Sequence, residues 1–198
     1  MDNTMLNFYK NALQGVLTDP LCAEYKNEWR KCGDDKEQLI RLALRQQSLP
    51  YLFTYCYKGK GVSKAYVKDA FKGYLNGSYI ARDVEGVQGF TYGLNVALDD
   101  DFTVETDVSA FMWCRDTIVT IPETLCPTLY VGCKSDIELQ LGGYNTIRIN
   151  LFDESRVTIY DADEVCKVLV YKYSDKARVE KGKYCFGEVK VFEKELRL

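Results

Sequence analysis

Four lysines in the first half of the chain have a spacing that suits contact with phosphate groups. Lys60, Lys64, Lys68 and Lys72 recur every four residues, so on an α-helix they share one face. A row of ammonium groups on one helix face can lie along the phosphates of DNA. On this interpretation the four lysines form a nucleic-acid-binding site. The alternative is that they are only the solvated face of a helical hairpin.

The residues around these lysines are similar to the turn and second helix of a helix-turn-helix motif. Within 61–70, a glycine permits the turn, Ser63 caps the following helix, and Val67 locks the two helices together. Tyr57 departs from the motif, because a small residue there normally lets the helices approach closely. We predict that the second helix of the hairpin spans 64–75.

Other residues that could carry catalysis are scarce. The chain of 198 residues contains no histidine, which removes the commonest general base and the Ser-His and Cys-His pairs. It has no Gly-rich phosphate loop, no Gly-x-Ser-x-Gly elbow and no dinucleotide fingerprint. We therefore predict a protein that is not an enzyme and that uses no cofactor.

Eight cysteines and several acidic clusters are the remaining candidates for metal ligands. No two cysteines form Cys-x-x-Cys, and no secretory leader indicates a disulfide framework, so we predict free buried thiols. A zinc site of four distant cysteines is the alternative. The acidic clusters at 99–101, 153–154 and 161–164 lack calcium-loop spacing and are typical of solvated turns. We predict no metal site.

The last part of the chain is a repeat of short strands. Apolar–polar–apolar triplets recur about every ten residues, and such alternation predicts strands with one buried face. The full triplets begin at 119, 129, 137, 147, 157, 168 and 189, and a degenerate copy begins at Ala177. Turn-forming clusters such as Gly142 to Asn145 separate the triplets. The charged segment 193–198 would suit a cap that prevents end-to-end association.

Two architectures fit this repeat, a β-solenoid and an antiparallel β-sandwich. The similarity of the copies, and the lack of Asn-Gly or Asp-Gly hairpin turns in the region, favour a short solenoid. We therefore predict an α+β protein in which a helical bundle precedes an all-β repeat region, with the sandwich as the alternative.

The predicted domains are a bundle of about five helices over 1–82, a linker over 83–92 and a β-repeat domain over 93–198. The linker contains two glycines and no periodicity. The charge also changes there, since residues 1–90 have a net charge of +3 and residues 91–198 a net charge of −6.

Within the helical part, apolar spacing predicts a first helix over about 3–17. Asp19-Pro20 is a favourable start for a second helix, which ends near Cys32. A third helix begins at Asp34 or Asp35, and the helix-turn-helix-like pair follows.

A family resemblance covers most of residues 20–92. It is carried by Leu21-Cys22-x-Glu24-Tyr25-Lys26-x-x-Trp29-x-x-Cys32, Gln38-Leu39, Tyr51-Leu52 and Gly61-Val62-Ser63-x-x-Tyr66-Val67-Lys68-x-x-Phe71-x-x-Tyr74-Leu75-Asn76-Gly77-x-Tyr79. This pattern resembles an uncharacterised family encoded by gut Bacteroides and their prophages or other mobile elements. The resemblance implies a two-part architecture and a bacterial cytosolic or phage setting, and it implies no site. Relatives more often carry an aromatic residue where this chain has Lys60.

These observations predict a non-enzymatic interaction or structural module. A β-repeat platform with a helical cap would bind a protein partner or a second copy of itself. The alternative is a DNA-binding accessory protein of a mobile element that uses the helix-turn-helix-like hairpin. We expect a cytoplasmic protein without membrane contact, because no apolar run approaches the length of a membrane span. No small-molecule ligand is indicated.

Overall fold

The computed structural model describes part of the chain, namely residues 23–33, 35, 38, 42, 49–57, 63–80, 91–161 and 164–195. Contacts divide the chain into two compact units, of which the second runs from Tyr74 to Leu196. The described α-helices belong to the first unit, and the described strands belong to the second.

Three short helices are described, α1 (Ala23–Cys32), α2 (Leu49–Tyr57) and α3 (Lys64–Ala70). They do not support the predicted bundle of about five helices. The predicted first helix over 3–17 lies outside the described residues, as does most of the predicted third. The end of α1 is as predicted, because Gly33 follows it with a left-handed φ of +59°, the usual backbone of a helix C-terminus.

The helix α3 is capped as predicted but is shorter. Ser63 Oγ accepts the backbone N–H of Tyr66 at 3.1 Å, which satisfies one of the free donors of the first turn. The helix ends at Ala70, and Phe71 leaves the helical conformation at φ −113° and ψ 16°. A 3-10 turn (Lys72–Tyr74) follows, so the predicted extension of the helix to residue 75 is wrong.

Twelve strands are described, and most are four to six residues long. In chain order they are β1 (Ser78–Ile80), β2 (Thr91–Val96), β3 (Phe102–Thr103), β4 (Val108–Met112), β5 (Thr117–Ile121), β6 (Thr128–Gly132), β7 (Asp136–Leu141), β8 (Thr146–Leu151), β9 (Arg156–Asp161), β10 (Lys167–Lys172), β11 (Arg178–Lys181) and β12 (Glu188–Glu193).

The strands form a parallel β-solenoid, which confirms the predicted repeat architecture over the sandwich. The first sheet has the order β1-β2-β4-β6-β8-β10-β12, and the second has the order β11-β9-β7-β5-β3. From β2 onwards, strands adjacent in sequence therefore lie in different sheets, and each strand pairs with the second strand along the chain. Ile137 pairs with Val157, twenty residues later. The ten-residue spacing is thus half a coil, and the solenoid has about five coils.

The interior of the solenoid is a column of aliphatic side chains. Residues at equivalent strand positions stack in the same direction because the parallel registers are in step. The fully buried members of the column include Leu129, Val131, Ile137, Leu139, Ile147, Ile149, Leu151, Val157, Ile159, Val168 and Val170. Burying each such side chain stabilises the fold by about 1.5–3 kcal/mol, so this column is the main source of stability.

The chain turns from the first sheet to the second at residues that are not glycine but have a left-handed backbone conformation. Ala97, Trp113, Cys133 and Asp153 have φ values of 54°, 55°, 57° and 47°, and each follows a strand of the first sheet. The left-handed region costs an L-residue about 1–2 kcal/mol. Packing of the coils must offset this cost at Ala97, Trp113 and Cys133, whereas aspartate adopts this region more readily than most residues.

The two ends of the first sheet differ. At one end β1 pairs antiparallel with β2, so the first coil is covered by a strand of opposite direction. At the other end β12 pairs with β10, and no further described strand follows it in the sheet order. Among the described residues, no helix has the length and apolar content needed to cross a membrane.

Candidate functional site

The predicted lysine site is only partly described. Lys60 lies outside the described residues, as does most of the predicted turn. Lys64 and Lys68 are exposed and lie one turn apart on α3. Lys72 is also exposed, but it belongs to the 3-10 turn after the helix has ended. The structure therefore places two of the four lysines on one helix face and moves a third off the helix.

A buried network of polar side chains lies at the left-handed corner. Asp153 accepts the backbone N–H groups of Cys133 and Lys134, which belong to the preceding coil. Ser155 Oγ donates to the same carboxylate at 2.9 Å, and it also accepts the N–H of Ser135 at 3.0 Å. These bonds link one coil to the next.

The Asp153 carboxylate of this network holds the corner and is not exposed for chemistry. Burial raises the pKa of Asp153, against hydrogen bonds from Lys134, Cys133 and Ser155 that lower it. The side chain is 7% exposed, and both of its oxygens already accept hydrogen bonds. Polar groups buried in this way are satisfied by the protein itself, so the network serves the fold.

A ladder of opposite charges runs over the neighbouring surface of the second sheet. The Glu154 carboxylate forms two ion pairs, one on each side along the solenoid. Its oxygens lie 3.2 Å from Lys134 Nζ and 3.4 Å from Lys176 Nζ. Arg156 binds Asp136 with two nitrogens, and Nε is 2.9 Å from Oδ1. Exposed pairs of this kind contribute at most about 1 kcal/mol each.

These charges line an open cleft of about 710 Å³. Its lining comprises Lys134, Ser135, Asp136, Glu154, Arg156, Asp175, Lys176 and Arg178. Basic and acidic side chains are nearly balanced, and most are paired with each other. The hydroxyl of Ser135 is buried and is hydrogen-bonded to the backbone oxygen of Gly132 at 2.6 Å. This hydroxyl is therefore engaged within the protein.

The candidate metal ligands do not converge in the described part of the chain. No group of three or more Cys, Asp or Glu side chains there is placed to hold a metal ion. The cysteines with described side chains are free thiols, and Cys114, Cys133 and Cys166 are buried in the solenoid. These thiols behave as small apolar residues of the core.

Aromatic rings stack along the outer face of the first sheet. Phe152 lies between Tyr130 and Tyr173, with ring centroids 6.3 and 4.9 Å apart. Burial raises the pKa of Tyr130 to about 12. A second stack joins Tyr171 to Phe192 at 5.3 Å. Because Phe192 belongs to β12, this second stack reaches the end of the solenoid.

The carboxyl-terminal end of the solenoid is open. Val191 of β12 pairs with Val170 of β10 and occupies the same inward-facing position. Val170 is fully buried, whereas Val191 is 48% exposed. Of the segment 193–198 that was predicted as a charged cap, Glu193 is the last residue of β12 and Lys194 N donates to Lys172 O at 2.8 Å, while residues 196–198 lie outside the described residues. The last strand therefore leaves the end of the core accessible.

Large exposed apolar side chains concentrate at this end. Most of those in the described residues belong to the last coil, and they are Tyr184, Phe186, Val191 and Phe192. We call these residues together with the free edge of β12 the open end. An accessible apolar surface beside an unpaired strand edge can pair with another chain.

Sequence reasoning did not identify the open end. The triplet at Val189 looks like the other copies, and nothing local marks it as the last strand of a stack. The structure alone shows that its inward-facing Val191 is 48% exposed.

Comparison with protein-family models, with curated proteins and with solved structures finds no match to this chain. Its candidate function therefore depends on the geometry of the solenoid and of its open end.

Proposed function

We propose that the protein is a non-enzymatic structural module that associates with copies of itself through the β-solenoid. The observation that carries this proposal is the contrast between Val170 and Val191, which occupy equivalent inward positions but differ in exposure, fully buried against 48% exposed. A further strand beside β12 would bury the open end as each earlier coil is buried by the next.

The remainder of the solenoid supports a structural role. Its interior is aliphatic, and the buried carboxylate of Asp153 is engaged by backbone N–H groups. The charged cleft is occupied largely by ion pairs within the protein. These features favour a rigid platform over a catalytic pocket.

The test is the molar mass in solution over a wide concentration range, measured by light scattering after size exclusion. We expect the mass to rise with concentration, because association through a small surface is governed by mass action. Val191→Lys places a charge in the open end and should reduce the mass. Tyr144→Lys changes a side chain that is 82% exposed elsewhere and is the matched control. A single-chain mass at every concentration contradicts the proposal.

A second candidate function is DNA binding by the exposed lysines of α3. Lys64 and Lys68 are one turn apart and both are exposed, so they can reach adjacent phosphates. The double substitution Lys64→Glu/Lys68→Glu should weaken binding to duplex DNA and reduce the salt dependence by roughly one unit per lost phosphate contact. Lys181→Glu/Lys183→Glu is the control. Equal binding of the parent and the first variant in fluorescence anisotropy at low salt rejects this candidate.

A further inference from the structure

We infer that the partner of the open end is the β12 strand of a second copy, paired antiparallel about a two-fold axis at Val191. This inference rests on the proposed function and specifies its geometry. It follows from the direction of the free backbone groups and from the order of charges along β12.

The backbone of β12 determines which residues can form hydrogen bonds with a new strand. Glu188 N donates to Cys166 O at 3.0 Å, and Lys194 N donates to Lys172 O at 2.8 Å. Residues of a parallel strand direct their N–H and C=O groups alternately to the two sides. The even-numbered residues therefore face β10, and Val189, Val191 and Glu193 direct their groups to the free edge.

An antiparallel partner must place these odd-numbered residues opposite one another. Directly opposed residues then exchange two N–H···O bonds. With the axis at Val191, that residue opposes itself and Val189 opposes Glu193 of the second copy. Because opposed residues point to the same face, Val191 of both copies covers the open core.

The charges on β12 select this register. With the axis at Val191, Glu188 of each copy opposes Lys194 of the other, and Lys190 opposes the ring of Phe192. A shift by two residues in one direction places Lys190 opposite Lys190 of the second copy, and a shift in the other direction places it opposite Lys194. Like charges placed opposite each other are destabilising. A larger shift that brings Glu188 opposite Lys190 leaves only residues 188–190 of β12 paired.

Charges on an edge strand commonly prevent association, and here they leave one register that is complementary. Glu188 and Lys190 form an ion pair within the strand at 2.8 Å, and both side chains are about half exposed. Each can therefore leave this ion pair for a residue of the second copy. Stacking of β12 on the first coil of another copy is less suitable, because the strand at that end, β1, is only three residues long. A two-fold pair also closes, since it uses the same surface of each copy.

Disulfide cross-linking of the full-length protein tests the register. Directly opposed, hydrogen-bonded residues have Cα atoms about 5.5 Å apart, within the range of a disulfide. Val191→Cys should therefore form a covalent dimer under mild oxidation. Val189→Cys is the matched control, because its two copies would lie roughly 14 Å apart. The parent protein, with exposed Cys126, supplies the background.

A charge exchange tests the pairing without cysteine. Glu188→Lys and Lys194→Glu should each weaken dimerisation about tenfold, and the double variant should restore it, because each residue opposes the other in the second copy. Glu154→Lys, which disrupts two surface ion pairs away from the open end, should leave dimerisation unchanged. Circular dichroism of each variant verifies its fold.

The outcomes separate this inference from the proposed function. Preferential cross-linking of Val191→Cys with rescue by the double charge variant supports both. Concentration-dependent mass with equal cross-linking at 189 and 191, or without rescue, overturns the β12 pairing and leaves self-association standing. A single-chain mass for the parent, with no cross-link above background, overturns both.

Discussion

The hydroxyl oxygen of Ser155 accepts the backbone N–H of Ser135, one coil earlier, at 3.0 Å. The relation repeats towards the amino-terminal end, where Ser135 Oγ accepts the N–H of Cys114 at 3.2 Å. Both serines are almost fully buried. A column of serine hydroxyls therefore connects successive coils at the corner where the chain leaves the first sheet.

Removing one hydroxyl from this column should destabilise the solenoid. Ser155→Ala leaves the buried N–H of Ser135 with Gly132 O, at 3.2 Å, as its described acceptor and removes a donor to Asp153. We expect the free energy of unfolding to fall by about 1–3 kcal/mol, the cost of poorly satisfied buried groups. Urea denaturation measures it. Ser174→Ala is the control, since Ser174 Oγ accepts only the N–H of exposed Lys176 among its described bonds, and an equal loss in both variants would contradict the prediction.

The buried carboxylate at the corner should make stability depend on pH. Burial raises the pKa of Asp153 above its ordinary value, so the folded chain binds this proton more readily than the unfolded chain does. Its contribution to stability is complete below the unfolded pKa of about 3.9 and is lost as pH rises through the folded pKa. We therefore compare the free energy of unfolding of the parent with that of Asp153→Asn. The advantage of the parent should be larger near pH 4 than at pH 7.

Urea denaturation of both proteins at the two pH values measures this difference. The comparison cancels the other acidic groups, which the two proteins share. A constant difference would show that folding does not shift the pKa of Asp153, and a difference larger at pH 7 would show that folding lowers it; either result contradicts the prediction.

The aromatic stack on the first sheet should contribute strongly to stability. Phe152 is 4% exposed and packs between two tyrosine rings. Phe152→Ala should lower the free energy of unfolding by about 3–5 kcal/mol, and Phe152→Leu should cost less because it retains most of the volume. Tyr144→Ala, at a residue 82% exposed, should change stability by at most about 0.5 kcal/mol. Thermal and urea denaturation measure the loss of stability, which should be largest for Phe152→Ala, smaller for Phe152→Leu and smallest for Tyr144→Ala. Any other order contradicts the prediction.

Gly182 is required by the ring beside it. A Cβ at Gly182 would overlap the ring of Tyr160, so Gly182→Ala should cost about 1–3 kcal/mol through overpacking. In a Tyr160→Ala background the same substitution should cost much less, giving a coupling energy of about 0.5–3 kcal/mol. A double-mutant cycle by urea denaturation measures this coupling. Additive effects would mean that the glycine is needed for its backbone and not for its small size.

The strands were predictable because alternation is a local property. Ile137 and Leu139 are both fully buried, and their spacing of two residues predicts a shared face. The cap at Ser63 was predictable for the same reason, since it depends on a contact three residues away. The length of α3 was not, because the chain leaves the helix at Phe71 and enters the 3-10 turn that leads to β1.

The candidate sites were predicted less well than the fold. The lysines at 64 and 68 share an exposed helix face, and their binding to DNA stays a prediction. The open end depends on which strand lies at the edge of the described sheet, and Val189 and Val191 of β12 are the same residue type as Val168 and Val170, their partners in β10.

By itself, the sequence determined that the second part of the chain forms short half-buried strands about ten residues apart, because side-chain alternation depends only on neighbouring residues. Only the tertiary structure decided that alternate strands pair, so that Ile137 meets Val157 and a coil takes twenty residues. It also decided that Ala97, Trp113, Cys133 and Asp153 turn the corners and that Val191 stands exposed. These properties arise from the stacking of coils, which brings together residues whose types alone do not show which strands will be neighbours.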